Sequence, residues 1–410
     1  MRESKRFGAL ACKDFRLFIF GNSLSLVGTW VQRIGTGWLA WEASHSSMWL
    51  GILALADLFP TVLLAPIAGV IADRCDRRRI ILYCQYVGAA MAVLQAGLLL
   101  SHASSMEWLL AVTFISGIAS ALCQPARLSW IATLVPQRRV ASAVAINSLC
   151  FNLARFVGPA IAGALLLKLD PAALFLFNAL SYAAFIAVFF LVPVQPHPAE
   201  SAPPLYWLSD ITGGVRYLLS NVPLRATLVI LAASAVCIRG VPDMAPAIAG
   251  ELLQRGPQGF ASLVAATGAG ALVGGVWFGS RGQTKLLMTL IRLHVLSASL
   301  CALALSLTHN FRLAIVLFFA MGFSVVVTGI GAQTLIHLSV PQTMRGRVLA
   351  LYGVIYRGGP ALNALWLGAS APLLGLRMVL GLGALLCFAA YCTAMICATR
   401  LARHHLPPEQ

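Results

Sequence analysis

Long apolar runs, broken by short polar turns, recur along the whole chain. Twelve stretches are predominantly apolar over about 20 residues, the length an α-helix needs to cross a bilayer. They are 15–42, 49–72, 79–101, 107–134, 140–168, 171–193, 223–250, 257–280, 285–307, 311–338, 346–371 and 374–400, and each predicts one membrane-spanning helix. The longest stretch without such a run is 194–222. It opens VQPHPAESAPP and continues LYWLSDITGGVRYLLSN, a Pro-rich linker followed by an amphipathic segment lying on the membrane surface. The pattern predicts an all-α integral membrane fold of two pseudo-symmetric six-helix halves, 1–193 and 223–410, joined by a central cytoplasmic loop, 194–222.

Composition agrees. Of 410 residues 59% are hydrophobic and only 10% charged, where a soluble domain carries roughly 25% charged residues. The net charge of +16 would suggest nucleic acid in a soluble chain. Here it follows from the positive-inside rule. Arg2, Lys5, Arg6 and Lys13 precede the first run, Arg74 to Arg79 follow the second, Arg138 and Arg139 the fourth, and Arg345 and Arg347 the tenth. Loops such as 43–49 and 101–107 have neither Lys nor Arg. Both termini are therefore expected on the cytoplasmic side of the inner membrane, with no nucleic-acid partner. The basic start and first apolar run read as a retained span rather than a secretory signal. Ten scattered cysteines show no metal-ligand spacing and read as small buried hydrophobes, so no metal or cofactor is expected.

The halves carry an internal repeat. TLVPQRRVASAVAINSLCFNLARFVGP (133–159) resembles HLSVPQTMRGRVLALYGVIYRGGP (337–360): a helix ends at Val-Pro-Gln, a basic turn follows, and the next helix carries an Arg shortly before a Gly-Pro. Parallel halves of this kind are a common transporter construction.

The densest charge lies in GVIADRCDRRRI (69–80), between the second and third runs. Gly69 permits close helix approach, Arg74, Arg77, Arg78 and Arg79 hold the turn inside, and Asp73 is placed to bond a helix N-terminus or an arginine. This G-x-x-x-D-R-x-x-R-R loop resembles the signature of the major facilitator superfamily. GNSLSLVGTWVQRIGTGWLAWEAS in the first run, QPARLSWIATLVP in the fourth, NLARFVGPAIAG in the fifth and RGRVLALYGV in the eleventh are similar to its branch of siderophore and drug efflux proteins. The resemblance implies that Gly69, Asp73, Arg74, Arg77 and Arg78 latch the cytoplasmic side in one state and release it in the other. Asp76 stands where the motif has glycine, and the corresponding loop GSRGQTK (279–285) lacks the aspartate, which makes the latch one-sided. Gly158, Pro159 and Gly163 in GPAIAG resemble the core of the drug and proton antiporter motif, although Ala154 replaces its upstream glycine.

Ionisable residues inside membrane runs are costly, about 2.5 to 3.5 kcal/mol each at the bilayer centre, and read as functional. Arg33, Arg155 and Arg357 would bind an anionic cargo by paired hydrogen bonds, with Trp30 and Tyr356 as stacking partners; Trp38, Trp41 and Tyr352 offer further aromatic surface. Arg127, Arg292 and His337 read as side chains that can reach the surface. Arg239 and Asp243 have the spacing of an intrahelical ion pair, beside Pro242 and Pro246, which would open the backbone. Asp57, then Glu42 and Asp243, are the candidates for proton coupling. Gly270, Gly274, Gly275 and Gly279 read as close helix packing. With no nucleotide-binding loop and no catalytic cluster in the sequence, the chain reads as no enzyme. It reads as a monomeric secondary transporter, exporting a small polar anion such as a siderophore by proton antiport. Multidrug efflux is the alternative, and a membrane receptor or assembly protein the minor one.

Overall fold

The computed structural model describes residues 8–166, 168–192, 207–281 and 286–404, apart from the side chains of 65, 66, 73, 207–211, 213, 214, 222, 223, 281, 343, 350 and 398–404. Helices fill it, and no strand occurs among the described residues. The first five are α1 (Lys13–Ser44), α2 (Ser47–Leu63), α3 (Ala65–Arg74), α4 (Arg77–Leu100) and α5 (Met106–Thr133). Next come α6 (Val140–Leu166), α7 (Ala172–Leu191), α8 (Trp207–Ser220), α9 (Val222–Cys237) and α10 (Ala245–Ala247). The last five are α11 (Gly256–Arg281), α12 (Leu287–Leu307), α13 (Phe311–Ser339), α14 (Gln342–Leu374) and α15 (Leu376–His404). Some helix starts fall at short polar side chains that accept orphan backbone N–H groups. Asp76, Ser105, Asn221 and Asn310 do so for α4, α5, α9 and α13, whereas α1, α3, α7, α12 and α14 begin without a side-chain cap.

Ten helical stretches among the described residues are long and apolar enough to span a bilayer, so the count of twelve is not reproduced in full by that criterion. The two shortfalls are α1 and α14, of 32 and 33 residues. At about 1.5 Å per residue they have ample length. They are more polar, α1 through Lys13, Asp14, Arg16, Arg33 and Glu42, and α14 through Arg345, Arg347 and Arg357.

Two runs that read as single helices are broken. The second divides at Leu64, where Pro66 in the first turn of α3 has no N–H to continue the ladder. The seventh leaves the α-helix at Cys237 and passes through a 3₁₀ turn (Val241–Met244), α10 and a π-turn (Ile248–Leu252). The helical spacing expected for Arg239 and Asp243 is therefore absent, because Arg239 stands in the turn before Val241. Asn363 on α14 holds that turn, its Oδ1 accepting from Gly240 N at 2.7 Å.

The chain forms two compact units. The first comprises Met1–His45, Ala56–Pro204 and Gly256–Gly268, the second Ser46–Leu55, Leu205–Arg255 and Ala269–Gln410. In the first, α1 packs on α6 and α7, and α4 on α5 and α7. Its core includes the rings of Phe18, Trp130, Phe185 and Phe189, with Trp130 stacked on Phe189 at 4.7 Å. Amide and hydroxyl groups thread the same helices. Ser25 donates to Gln85, Asn22 to Asn147, and Asn178 to Gln32. In the second unit α12 packs on α13 and α15, and α9 on α14 and α15. The amphipathic α8 lies against α9 and α14, with Leu218 buried and Val215, Arg216 and Leu219 exposed. Large apolar side chains such as Phe20, Leu180, Phe190 and Leu307 stand more than 70% exposed, the surface that lipid rather than water solvates.

Candidate functional site

Within the first unit Trp30 gathers charged candidates from three helices. Trp30 and Arg33 are three residues apart on α1 and share a face. Arg33 Nη1 lies 3.3 Å from Asp57 Oδ2 on α2, and its guanidinium is 5.4 Å from the centre of the Trp30 ring. Arg155 on α6 reaches the same ring at 5.5 Å, and Phe151, one turn earlier, meets it edge-on at 6.3 Å. The Arg33 and Asp57 side chains are 33% and 32% exposed, so the pair is not sealed inside the protein. Two cations meet one aromatic ring and one of them pairs with a carboxylate, the composition that suits an anion with flat or unsaturated parts.

Small residues and prolines set this geometry. A Cβ on Gly158 would overlap Trp30, so only glycine lets α6 approach α1 at the ring. Pro159 follows inside the helix, and Gly163 gives the same close approach to Ala261 on α11. The GPAIAG stretch is thus a packing surface that carries Arg155. On α2, Pro60 removes the N–H that would bond the Ala56 carbonyl. A Cβ on Gly117 would stand 2.9 Å from the carbonyl oxygens of both Ala56 and Asp57, so α5 presses directly against the backbone that bears the carboxylate.

The other site candidates fall elsewhere. Glu42 is exposed near the C-terminal end of α1, away from these contacts. Asp243 lies half-buried in the 3₁₀ turn of the second unit. In that unit Arg239 stands 3.8 Å over the ring of Tyr356, Tyr352 lies 5.3 Å from Tyr356, and the Tyr352 hydroxyl donates to the Gly329 carbonyl at 3.1 Å. Arg357 is exposed on α14. Of the aromatic residues, Trp38, Trp41 and Tyr352 are buried against protein, which leaves Trp30 and Tyr356 half-exposed. Trp38 stacks on Phe260 at 5.8 Å.

Arg127 does not turn to the surface. Its Nη2 donates to Cys123 Sγ at 3.3 Å, and its guanidinium lies 5.7 Å from the Phe185 ring. His337 is exposed near the end of α13, whereas the Arg292 Nε is buried without a hydrogen-bond partner among the described residues. The cysteines are all free; Cys84, Cys123 and Cys387 are buried, while Cys75 and Cys397 are exposed, against the expectation that they fill the core. The buried amides of Asn22, Gln85 and Asn178 escaped sequence reasoning, which weighed ionisable side chains. Their signal was available, as uncharged amides inside apolar runs.

The charged turn has a definite local architecture. Arg74 ends α3, and Asp76 starts α4, its carboxylate accepting from Arg78 N at 2.9 Å and facing Arg79 Nε at 3.5 Å. Arg77 Nε donates to the Ala72 carbonyl at 3.2 Å. Arg78 Nη2 donates to the Phe189 carbonyl in the last turn of α7, where a cation also meets the negative end of the helix dipole. No described atom lies within 4 Å of a Cβ built on Gly69, so the close approach expected there is absent. The Asp73 side chain and residues 282–285 of the matching second loop lie outside the described residues. Asp76, a departure from the signature, thus serves as a helix cap. Asp76→Ala is expected to lower stability by about 1 kcal/mol and Asp76→Gly by only a few tenths. Unfolding of the two purified variants checks this, and equal, negligible losses would remove the cap from the account.

The Transmembrane secretion effector family matches residues 4–406. The MFS-type transporter YfiS of Bacillus subtilis is 24% identical over 380 residues, 87% of this chain and 88% of its own length. The staphyloferrin A transporter of Staphylococcus aureus is 29% identical over 181 residues, covering 44% of this chain and 45% of its own. Macrolide efflux protein A of Streptococcus pyogenes is 24% identical over 345 residues, covering 82% and 84%. Among solved structures, a bacterial homologue of the human lysosomal transporter Spinster shares the fold with a TM-score of 0.70, at 15% identity and full coverage of both chains. With a family match over nearly its whole length, this chain belongs to the Transmembrane secretion effector family of major facilitator transporters.

Proposed function

We propose that this transporter exports a small polar anion, most concretely a siderophore, across the cytoplasmic membrane by alternating access and proton antiport. The observation that carries the reading is the grouping of Arg33, Arg155 and Asp57 around Trp30. A cargo with carboxylate or other oxyanion groups accepts from the N–H groups of Arg33 and Arg155, while its hydroxyls donate to Asp57. Arg357 and Tyr356 are the further cargo-binding candidates, carried by the second unit. A proton arriving at Asp57 neutralises the carboxylate that the cargo hydroxyls use as acceptor, so cargo hydroxyls and proton compete for one group. That competition is the requirement for antiport. A cargo that instead displaced Asp57 from Arg33 would bind together with a proton and travel in the same direction as it. Asp243 and Glu42 are the remaining proton candidates.

The other parts of the proposal follow the same topology. Both termini are cytoplasmic, the halves 1–193 and 223–410 form the moving parts of a monomer, and the turn bearing Gly69, Asp73, Arg74, Arg77 and Arg78 latches one state. The relation to a staphyloferrin A transporter supports a siderophore as cargo, and the longer match to macrolide efflux proteins favours drug efflux as the second reading. The deciding experiment compares secreted and retained metabolites in the native host with and without the gene under iron starvation. A siderophore that leaves the medium and accumulates in the deletion strain is the expected result. An unchanged siderophore pool, with gained sensitivity to lipophilic drugs, would replace the first reading by the second.

A further inference from the structure

Three connections of the second unit meet at one residue. Arg377, at the start of α15, donates through Nη1 to the carbonyls of Ser306 and Thr308 at 3.3 and 2.8 Å, and through Nη2 to that of Leu252 at 3.3 Å. The same Nη2 lies 2.9 Å from His309 Nδ1. An arginine has only donors, so this contact uses Nδ1 of the ring as the acceptor and leaves the Nε2 edge to face outward partners. Beside this clamp is an open cleft of about 680 Å³ lined by Arg255, His309, Asn310, Phe311 and Arg312. Arg255 and Arg312 are exposed, and the Arg255 guanidinium rests 5.4 Å from the Phe311 ring. That contact leaves its N–H edges available. Glu251 stands one turn before Arg255 and makes no ion pair with it, and no carboxylate pairs with Arg312 among the described residues.

The cluster is also unusual for its place in the chain. Counting from the N-terminus, these loops alternate with the basic ones. The corresponding loops of the first half, 43–49 and 101–107, contain no Lys or Arg, and the third has only Lys168 next to Asp170 with one residue between. Arginines held against the positive-inside bias need a compensating use.

We propose that Arg255, Arg312 and His309, braced by Arg377, form a binding site for an oxyanion, a phosphate or carboxylate group, at the loop end of the second unit. It is independent of the cargo path proposed above. The same chemistry could arrive as the phosphodiester headgroup of an anionic lipid or as a water-soluble anion, and two probes separate the sources. Full-length purified protein is titrated with dioleoylphosphatidylglycerol, followed by native mass spectrometry, and separately with inorganic phosphate, followed by thermal shift. Both are repeated on the double variant Arg255→Gln, Arg312→Gln, whose positions are exposed, and on Arg377→Gln. The double variant is expected to bind one probe about tenfold or more weakly with an unchanged melting temperature, and added salt should erode the difference. Loss for phosphatidylglycerol assigns a lipid, and loss for phosphate a soluble anion. Equal affinity of wild type and double variant for both probes overturns the site.

Discussion

Arg33→Gln is expected to weaken binding of an anionic cargo by about ten- to one-hundred-fold while a neutral cargo is affected far less. A hydrogen bond to a charged group contributes about 1.5–3 kcal/mol, which converts to that range at about 1.4 kcal/mol per tenfold. The variant also strands Asp57, whose carboxylate is only 32% exposed. The companion Asp57→Asn keeps the shape and removes the titratable group, and it should abolish pH-driven uphill transport while leaving downhill exchange measurable. Transport in everted vesicles, with and without an imposed pH gradient, reads both. If Arg33→Gln lowers anionic and neutral cargo alike, the arginine braces the helices. If Asp57→Asn still pumps uphill, Asp57 is excluded as the proton carrier. The double variant is informative because removing both charges should harm folding less than removing one, a pair being cheaper to delete than to break.

Gly270→Ala carries the largest expected loss of stability. The added Cβ would overlap the carbonyl oxygen of Phe319 and stand 3.0 Å from Phe323 N, both backbone atoms of α13. Neither can rotate away, so the helices must separate, at a cost of about 1–3 kcal/mol or more. Gly279, nine residues later on the same helix, has nothing within 4 Å of its added Cβ among the described residues. Gly279→Ala should therefore change stability by no more than about 0.5–1 kcal/mol, and toward greater stability through helix propensity. Unfolding temperatures of the two purified variants test the contrast. Similar melting would mean that the glycine stripe is not what holds α11 on α13. Gly274 belongs with Gly270, 2.8 Å from the Phe323 carbonyl, whereas Gly275 makes only an ordinary contact at 3.7 Å. One run of glycines in the sequence thus divides into close packing and open surface.

That division shows where sequence reasoning stops. The apolar runs were legible because a bilayer leaves the backbone few choices: about 20 residues must satisfy their own hydrogen bonds as helix. Pro242 and Pro246 announced the break after Cys237 for the same backbone reason. The Arg239 and Asp243 spacing does not count as a helical one because that break removes the helix between them, and Arg239 lies over the ring of Tyr356. Trp30, Arg33, Asp57 and Arg155 were each visible as costly or amphipathic groups within apolar runs. Their grouping was not, since Arg33 and Asp57 belong to different helices and only packing of small residues such as Gly117 and Gly158 brings them together. The Arg377 clamp was missed for a related reason, as its three carbonyl partners are peptide groups that no residue type reveals.

By itself the sequence determined the solvent, the helices, the signature turn and the presence of charge where charge is expensive, because these follow from local hydrogen-bond and transfer energies. Tertiary structure alone decided which of those charges share a site, which glycines bear a neighbour, and that Asp76 caps a helix while Arg78 ties it to α7. Contact between helices depends on shape at the scale of a single methyl group, and no pattern along one chain records that.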